Sequence, residues 1–248
     1  MDTLTKRPPG DRAALAEAAG LRWLREGSDI VVKVIAADEH SLTIERIASS
    51  RPTPEHARIA GRELAKIHDC PVAGFGAPPE GWDGPNYIGR RQQQCQLTEE
   101  WAPFYAEQRV LPFAQVAVDN GNLDQAGMRT VEKALEALCA ADMKAEPARI
   151  HGDLWAGNLL FGPQGPALID PAAHGGHRET DLAMLALFGA PYLEEIRAGY
   201  QEVHPLEPGW LENTPIHQLH PLAVHAAGHG PSYGHELVQA AEATLHLV

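Results

Sequence analysis

The chain has 248 residues and a formal net charge of −13 at pH 7, with 44% hydrophobic and 21% charged residues. This length suffices for one large domain or two small lobes, and the composition is typical of a globular protein. The negative charge repels phosphate backbones and anionic lipids, so neither nucleic acid nor a membrane is expected as a partner. The sequence has no apolar run of membrane-spanning or signal-peptide type, and its three dispersed cysteines suggest reduced thiols, so a cytoplasmic protein is expected.

The first fifty residues alternate between helical and strand patterns. Residues 11–26 are predicted to form a helix capped by Asp11, because apolar residues recur on one face. Two β-rich runs, 30–36 and 41–47, are separated by Asp38-Glu39-His40, which predicts a β-hairpin. A mixed segment of helix and sheet is therefore expected at the front of the chain.

A second helix is marked more clearly. Thr53 is a suitable N-cap, Pro54 occupies the first helical position, and apolar residues follow at helical spacing as far as Ile67. The stretch 71–98 is rich in Gly, Pro and Gln and shows no periodicity, so it is predicted to be a long loop.

Helical patterns dominate the rest of the chain. Helices are expected from Glu99 onward, most strongly over 128–138, and again over 181–201 and 217–246. The sequence thus predicts an α+β protein with a small mixed portion and a larger, mostly helical portion.

The segment His151-Gly152-Asp153-Leu154-Trp155-Ala156-Gly157-Asn158 carries the strongest chemical signal. Two short apolar strands around a Gly/Pro turn follow it and lead to Asp170. In a hairpin centred on Gln164, Asn158 would lie opposite Asp170, with Cα atoms about 4.5–5.5 Å apart. An amide oxygen and a carboxylate so placed are ligands that Mg²⁺ accepts together with substrate phosphates.

Asp153 lies at the other end of the same loop, where it could orient a hydroxyl group and accept its proton during phosphoryl transfer. An isolated His-Gly-Asp could equally form a turn or a cap. The whole pattern of HxDxxxxN, a short hairpin and a final Asp favours a phosphotransferase over a structural turn.

These motifs resemble those of the fructosamine-3-kinase (ketosamine kinase) family, within the protein-kinase-like superfamily. The shared features are Trp155 directly after HGDL, the tripeptide Asp170-Pro171-Ala172, and the stretch GHRETDLAM over 176–184. The resemblance implies a bilobal protein-kinase-like fold. A truncated N-terminal β lobe would span 1–47, and a larger, mostly helical C-terminal lobe would span 48–248.

The resemblance also implies roles for individual residues around the motif. Asp153 would be the catalytic base, and Asn158 and Asp170 would bind Mg²⁺. The remaining residues would contact substrate (Trp155, His174) or support the catalytic loop (His151, Glu179, Asp181).

In the front portion, Lys6 resembles the ATP-binding lysine, with Glu17 as its ion-pair partner. Glu45 and Ile47 belong to a run that resembles the strand leading into the hinge, where backbone groups bind adenine. Family members carry two strands and a glycine-rich loop before the lysine, whereas this sequence begins almost at the lysine. Weak ATP binding and self-association through an exposed N-terminal sheet edge are the expected consequences.

The activity implied is ATP- and Mg²⁺-dependent phosphorylation of the 3-hydroxyl of a ketosamine, formed on a free amine or a protein lysine, as a deglycation step. Two alternatives remain open: an aminoglycoside-like or other small-alcohol phosphotransferase, and a pseudokinase that binds nucleotide weakly. Four histidines over 217–229 have near-helical spacing, but no cysteine or carboxylate cluster joins them. They are expected to be surface or pocket-wall residues and not zinc ligands.

Overall fold

The computed structural model describes residues 2–141 and 143–248. The chain divides into two compact units, each built from two stretches of sequence. The first comprises Met1–Leu97 and Pro147–Leu206, and the second comprises Thr98–Glu146 and Glu207–Val248. The lobe boundary predicted at residue 47 does not coincide with this division and stays a prediction.

The first unit opens with a three-stranded antiparallel sheet. Strand β1 (Thr3–Lys6) pairs with β3 (Leu42–Glu45), which also pairs with β2 (Val34–Ala37). The predicted β2–β3 hairpin is confirmed, and the Asp38 carboxylate closes its turn by accepting two backbone N–H groups. Within the described part of the chain β1 is an edge strand.

Helices α1 (Ala13–Arg25) and α2 (Pro54–His68) lie close to their predicted ranges. Thr53 caps α2 through its side chain, as predicted. The predicted cap of α1 is wrong. Arg12 directly precedes that helix in a left-handed conformation, with φ of 54° and no side-chain cap, and Asp11 lies one residue too early.

The stretch predicted as a loop contains a small hairpin. Strand β4 (Asn86–Ile88) pairs with β5 (Arg91–Gln93), and Gly89, with φ of 57°, occupies the turn. A positive φ is readily adopted by glycine, which suits this tight connection. Strands of three residues are too short to give a visible alternation of polar and apolar side chains, so the sequence pattern did not predict them.

Two further antiparallel pairs surround the HGD motif. Strand β6 (Ala148–Ile150) pairs with β9 (His174–Gly176), and β7 (Leu159–Gly162) pairs with β8 (Gly165–Leu168). The hairpin predicted after the motif is therefore present.

The register of this hairpin differs from the prediction by one residue. Leu159 pairs with Leu168, so Asn158 lies opposite Ile169, whose N–H donates to the Asn158 carbonyl at 3.1 Å. The predicted pairing of Asn158 with Asp170 is wrong, because the connection contains two residues and is not centred on one.

Helices α6 (Arg178–Leu187) and α7 (Leu193–Val203) complete the first unit. Helix α7 packs against α2 so closely that a β-carbon at Gly61 would lie 1.9 Å from the Ile196 carbonyl oxygen. The lack of a side chain at Gly61 is what allows the two backbones to approach.

The second unit is helical, and its amphipathic residues Met128, Val131, Leu135 and Leu138 are buried as predicted. None of the helices among the described residues combines the length and apolarity of a membrane span. The elements of the second unit are α3 (Trp101–Phe104), a π-helix (Tyr105–Val110), α4 (Leu111–Asp119), α5 (Gln125–Ala140), a 3-10 helix (Trp210–Asn213), α8 (Thr214–His229) and α9 (Pro231–Leu245).

The four C-terminal histidines all lie on α8. His217 and His220 are buried beside the ring of Tyr105, and His225 stacks on His229 with ring centroids 5.0 Å apart. Burial lowers the pKa of His217 to about 3, so this side chain is neutral at physiological pH.

Candidate active site

A cavity of about 320 Å³ in the first unit collects six of the predicted site residues. They come from β1, from α1 and from the loop and hairpin around the HGD motif, and so from distant parts of the sequence. The six are Lys6, Glu17, Asp153, Trp155, Asn158 and Asp170.

Lys6 stands between two carboxylates at the end of β1. Its ammonium group forms ion pairs with Glu17 of α1, as the sequence predicted, and also with Asp170. Burial alone would lower the pKa of Lys6, but the two carboxylates outweigh it and the pKa is raised. Lys6 is therefore a fixed positive charge in the cavity.

Asn158 and Asp170 present oxygen atoms on the wall of the cavity. Asp170 has a left-handed backbone, with φ of 55°, which is uncommon outside glycine but tolerated by Asp. The Asn158 amide nitrogen donates to the Asp153 carbonyl at 2.7 Å, so the amide oxygen remains as an acceptor. An oxygen-only donor set of amide and carboxylate fits a hard cation such as Mg²⁺.

Asp153 is unusually hard to ionise for a carboxyl group. Burial raises the pKa of Asp153 to about 8, and the negative charge of Asp170 adds to the increase, although a hydrogen bond from Asn158 opposes it. A group that titrates near neutral pH and faces a cavity can exchange a proton with a bound hydroxyl.

Asp181 of α6 fixes the backbone of the loop that carries Asp153. Its carboxylate accepts the N–H groups of His151 at 2.7 Å and Gly152 at 2.9 Å. Complete burial would raise the pKa of Asp181, but these bonds and one from His68 outweigh it and lower the pKa. A fully buried, ionised Asp181 thus holds the start of the loop that carries Asp153.

His68, the last residue of α2, is a site residue that the motifs did not predict. Burial lowers its pKa, so the ring is neutral. Its Nε2 lies 3.0 Å from Asp181 and its Nδ1 lies 2.8 Å from the Tyr200 hydroxyl. Nε2 therefore donates to the carboxylate, and Nδ1 accepts from the tyrosine. The sequence did contain one signal for His68. It lies four residues after Leu64, on the predicted apolar face of α2, and a polar side chain that is buried on such a face requires a hydrogen-bond partner.

Three further predicted site residues, like Asp181, do not line the cavity. His151 is buried with its Nε2 2.9 Å from the Ile169 carbonyl. His174 is buried on β9 with its Nδ1 2.7 Å from the Ala172 carbonyl, and Glu179 lies in the first turn of α6. The roles assigned to these three residues stay predictions.

Glu45 and Ile47 line a different cavity of the first unit, with a volume of about 500 Å³. The backbone N–H of Glu45 donates to the Lys33 carbonyl at 2.9 Å and so is engaged within the sheet. The structure does not place these two residues on the cavity that holds Lys6, and their predicted contact with the nucleotide stays a prediction.

Trp155 lies on the cavity wall with 42% of its surface exposed. Its indole ring covers Gly157, where a β-carbon would lie 2.3 Å from the ring. The Phe188 ring packs edge-on against it, with centroids 6.4 Å apart. A large flat apolar surface is thereby held at the mouth of the cavity.

The β4–β5 hairpin forms a further part of the wall that the sequence did not predict. Asn86 donates to the Ala173 carbonyl at 3.1 Å, and Gln93 donates to the Asn86 side-chain oxygen at 2.7 Å. These bonds tie both strands of the hairpin to the segment that follows Asp170. Residues of the hairpin and its turn, including Tyr87 and Arg90, line the cavity.

Comparison of the chain with known proteins identifies its family. Residues 12–246 match the family model described as fructosamine kinase. A probable ketoamine kinase of Vibrio parahaemolyticus is 33% identical over 241 residues, which cover 94% of this chain and 79% of that protein.

Comparison with solved structures supports the same family and the same fold. A candidate fructosamine-3-kinase from Thermobifida fusca is 44% identical, with a TM-score of 0.92 over 98% of this chain and 85% of that one. A choline kinase from Streptococcus pneumoniae, 15% identical with a TM-score of 0.58 over 98% of this chain and 86% of that one, shares the fold. The predicted α+β, protein-kinase-like fold is confirmed, and the protein is a phosphotransferase that acts on a sugar-type hydroxyl group. The chain belongs to the fructosamine kinase family.

Proposed function

We propose that this protein transfers the γ-phosphoryl group of ATP to the 3-hydroxyl of a ketosamine, the adduct of a ketose carbon skeleton with an amine. The observation that carries the proposal is the meeting of Lys6, Asp153, Asn158 and Asp170 on one cavity of a fructosamine kinase family member. These are the charges and oxygen ligands that phosphoryl transfer requires.

In this mechanism Asp153 orients the acceptor hydroxyl and accepts its proton as the phosphoryl group is transferred. Lys6, kept charged by Glu17 and Asp170, contacts the α and β phosphates of the nucleotide. Mg²⁺ held by Asn158 and Asp170 would neutralise the charge of the phosphates. Asp181 keeps the catalytic loop in place through the N–H groups of His151 and Gly152.

Trp155 supplies the surface for the sugar. Its exposed indole, supported by Phe188, offers a flat apolar face that suits the carbon skeleton of a ketosamine. The hydroxyl to be phosphorylated would then face Asp153, which lies two residues earlier in the same loop.

The test is turnover of N-(1-deoxyfructosyl)glycine, the ketosamine that forms when the imine of glucose and glycine rearranges, with the position of the phosphate determined by NMR. Asp153→Asn keeps the size of the side chain but removes the base, so we expect kcat to fall by about 10²–10⁴-fold, with smaller changes in both KM values. Asp119→Asn, at an exposed carboxylate of α4, is the matched control and should retain normal turnover.

Undiminished kcat in Asp153→Asn would refute the assignment of the base. Phosphorylation of an aminoglycoside or a simple alcohol in place of the ketosamine would favour the small-alcohol phosphotransferase. Binding of ATP without transfer to any acceptor would favour the pseudokinase.

A further inference from the structure

Arg90 is a cation of the active-site cavity that the proposed mechanism does not use. It lies in the turn between β4 and β5, next to Gly89, and it is exposed. It lines the same cavity as Asp153 and Trp155. None of the ion pairs found among residues 2–141 and 143–248 involves Arg90.

Two other cations near the cavity already have partners. Lys6 is paired with Glu17 and Asp170. Arg12, beside the hairpin, forms an ion pair with Asp83 at 3.4 Å and stacks on the Trp82 ring at 4.6 Å. Arg90, in contrast, lines the cavity without any of the ion pairs found among the described residues, so its guanidinium group can pair with an anionic ligand.

The hairpin that carries Arg90 is attached to the wall of the cavity at several points. Its strands are bonded to Ala172 and Ala173 through Asn86 and Gln93, and the Tyr87 hydroxyl donates to the Asp11 carbonyl at 2.8 Å. The turn is thus held over the cavity, and the backbone of Arg90 does not have to be ordered when a ligand binds.

These attachments hold Arg90 beside the segment that follows Asp170, on the cavity whose Asp153 and Trp155 the proposed function assigns to the acceptor. The hairpin is bonded to the segment that follows Asp170, whereas the residues predicted to bind adenine, Glu45 and Ile47, line a different cavity. A guanidinium group matches the two oxygens of a carboxylate in a bidentate arrangement. A polycationic acceptor would instead be repelled by Arg90.

We propose that Arg90 binds the carboxylate of the acceptor, so that the preferred substrates are ketosamines formed on free amino acids. This inference rests on the proposed function and narrows its substrate class. The second possible source of an anionic oxygen group is the triphosphate of ATP, and the experiment below separates the two.

The experiment compares two ketosamines of nearly equal size, N-(1-deoxyfructosyl)glycine and N-(1-deoxyfructosyl)glycinamide, which differ in the carboxylate. KM is measured for each adduct and for ATP with the wild type, Arg90→Ala and Arg90→Lys. Arg129→Ala, which removes an exposed arginine of α5 away from the cavity, is the matched control for net charge.

We expect Arg90→Ala to raise KM for the glycine adduct about tenfold, because a charge-assisted hydrogen bond is lost. KM for the glycinamide adduct and for ATP should change less than about twofold, Arg90→Lys should lie between, and Arg129→Ala should match the wild type.

Equal changes for the two adducts, or no change for either, would overturn the inference. A rise confined to KM for ATP would also overturn it and would assign Arg90 to the triphosphate. Failure of the proposed function gives a different result, because the wild type would then phosphorylate neither adduct, and the inference would fall with it.

Discussion

Asp153, the proposed catalytic base, is a residue at which the requirements of catalysis and of folding would conflict. Its pKa of about 8 in the folded protein lies far above the value of about 4 expected in an unfolded chain. Between these two pH values the folded state binds a proton that the unfolded state has released. The free energy of unfolding must therefore decrease as the pH rises through this range.

Replacing Asp153 with Asn should remove this loss of stability. At pH 8.5 we expect Asp153→Asn to be more stable than the wild type by about 1–3 kcal/mol. This is less than the full pKa difference would give, because Asp153 is partly exposed to the cavity. Urea unfolding without nucleotide or divalent cation measures the difference, which should shrink as the pH falls towards 4. A difference that stays constant with pH would contradict the raised pKa.

Three of the predicted site residues that share the cavity come from one motif of the sequence. Asp153, Asn158 and Asp170 lie in one short segment, and the structure places all three on the same cavity. His68 has only a weak local signal, a histidine on the apolar face of α2, and Arg90 has none, because their positions in the site depend on a buried hydrogen bond and on a hairpin turn that only the tertiary structure creates.

At the scale of secondary-structure elements, the loop that carries Asp153 is held by side chains from three helices. His68 ends α2, Asp181 lies on α6 and Tyr200 lies on α7, and their side chains form a continuous chain of hydrogen bonds to the loop. Arg178 extends this chain by donating to the Tyr200 hydroxyl at 3.0 Å. Buried networks of this kind rigidify a structure when every member has a partner.

Removing His68 should therefore affect stability and catalysis together. In His68→Ala the buried Asp181 carboxylate loses a donor, and we expect the free energy of unfolding to fall by about 2–4 kcal/mol. We also expect kcat to decrease more than KM for ATP, because the loop carries Asp153. Urea unfolding and steady-state kinetics measure the two effects.

His68→Gln is the matched variant, because its side-chain amide can still donate to Asp181. It should recover part of the lost kcat and part of the lost stability. Normal kcat in His68→Ala would show that Asp181 holds the loop without help from α2.

The sequence predicted the register of paired strands less well than the strands themselves, because one residue more or less in a turn changes which residues pair. The β7–β8 hairpin is present, but its two-residue turn at Pro163 and Gln164 shifts the register, so that Asn158 opposes Ile169. A one-residue shift reverses the faces of a strand. Asn158 nevertheless lines the cavity, and its side-chain amide donates to the backbone carbonyl of Asp153.

At the scale of the whole molecule, the site is built entirely within one unit whose sequence is interrupted. Lys6 and Glu17 belong to the stretch Met1–Leu97, whereas Asp153, Asn158 and Asp170 belong to Pro147–Leu206. The segment between these two stretches folds with the C-terminal residues. Local periodicity could predict the helices of both units, but it carries no information on which distant segments pack together.

This arrangement makes ligand binding a property of the folded state alone. The residues proposed to bind Mg²⁺ and ATP converge only when the first unit is folded, so the ligand should bind the folded chain and not the unfolded one. At a concentration of about 100 times its Kd, MgATP should stabilise the protein by about 2.7 kcal/mol, which for a chain of this size raises Tm by roughly 5–10 °C.

Thermal unfolding over a series of MgATP concentrations measures this shift and the Kd, and so also tests the weak ATP binding expected from the sequence. Asp170→Asn removes a proposed metal ligand and a partner of Lys6, and the shift should be largely lost. Asp119→Asn should keep the full shift, and ATP with a chelator should give a smaller one, because the phosphates then lack their cation. A full MgATP shift in Asp170→Asn would show that the nucleotide binds away from the cavity of Lys6, Asp153 and Asn158, and the assignment of that cavity to phosphoryl transfer would have to be abandoned.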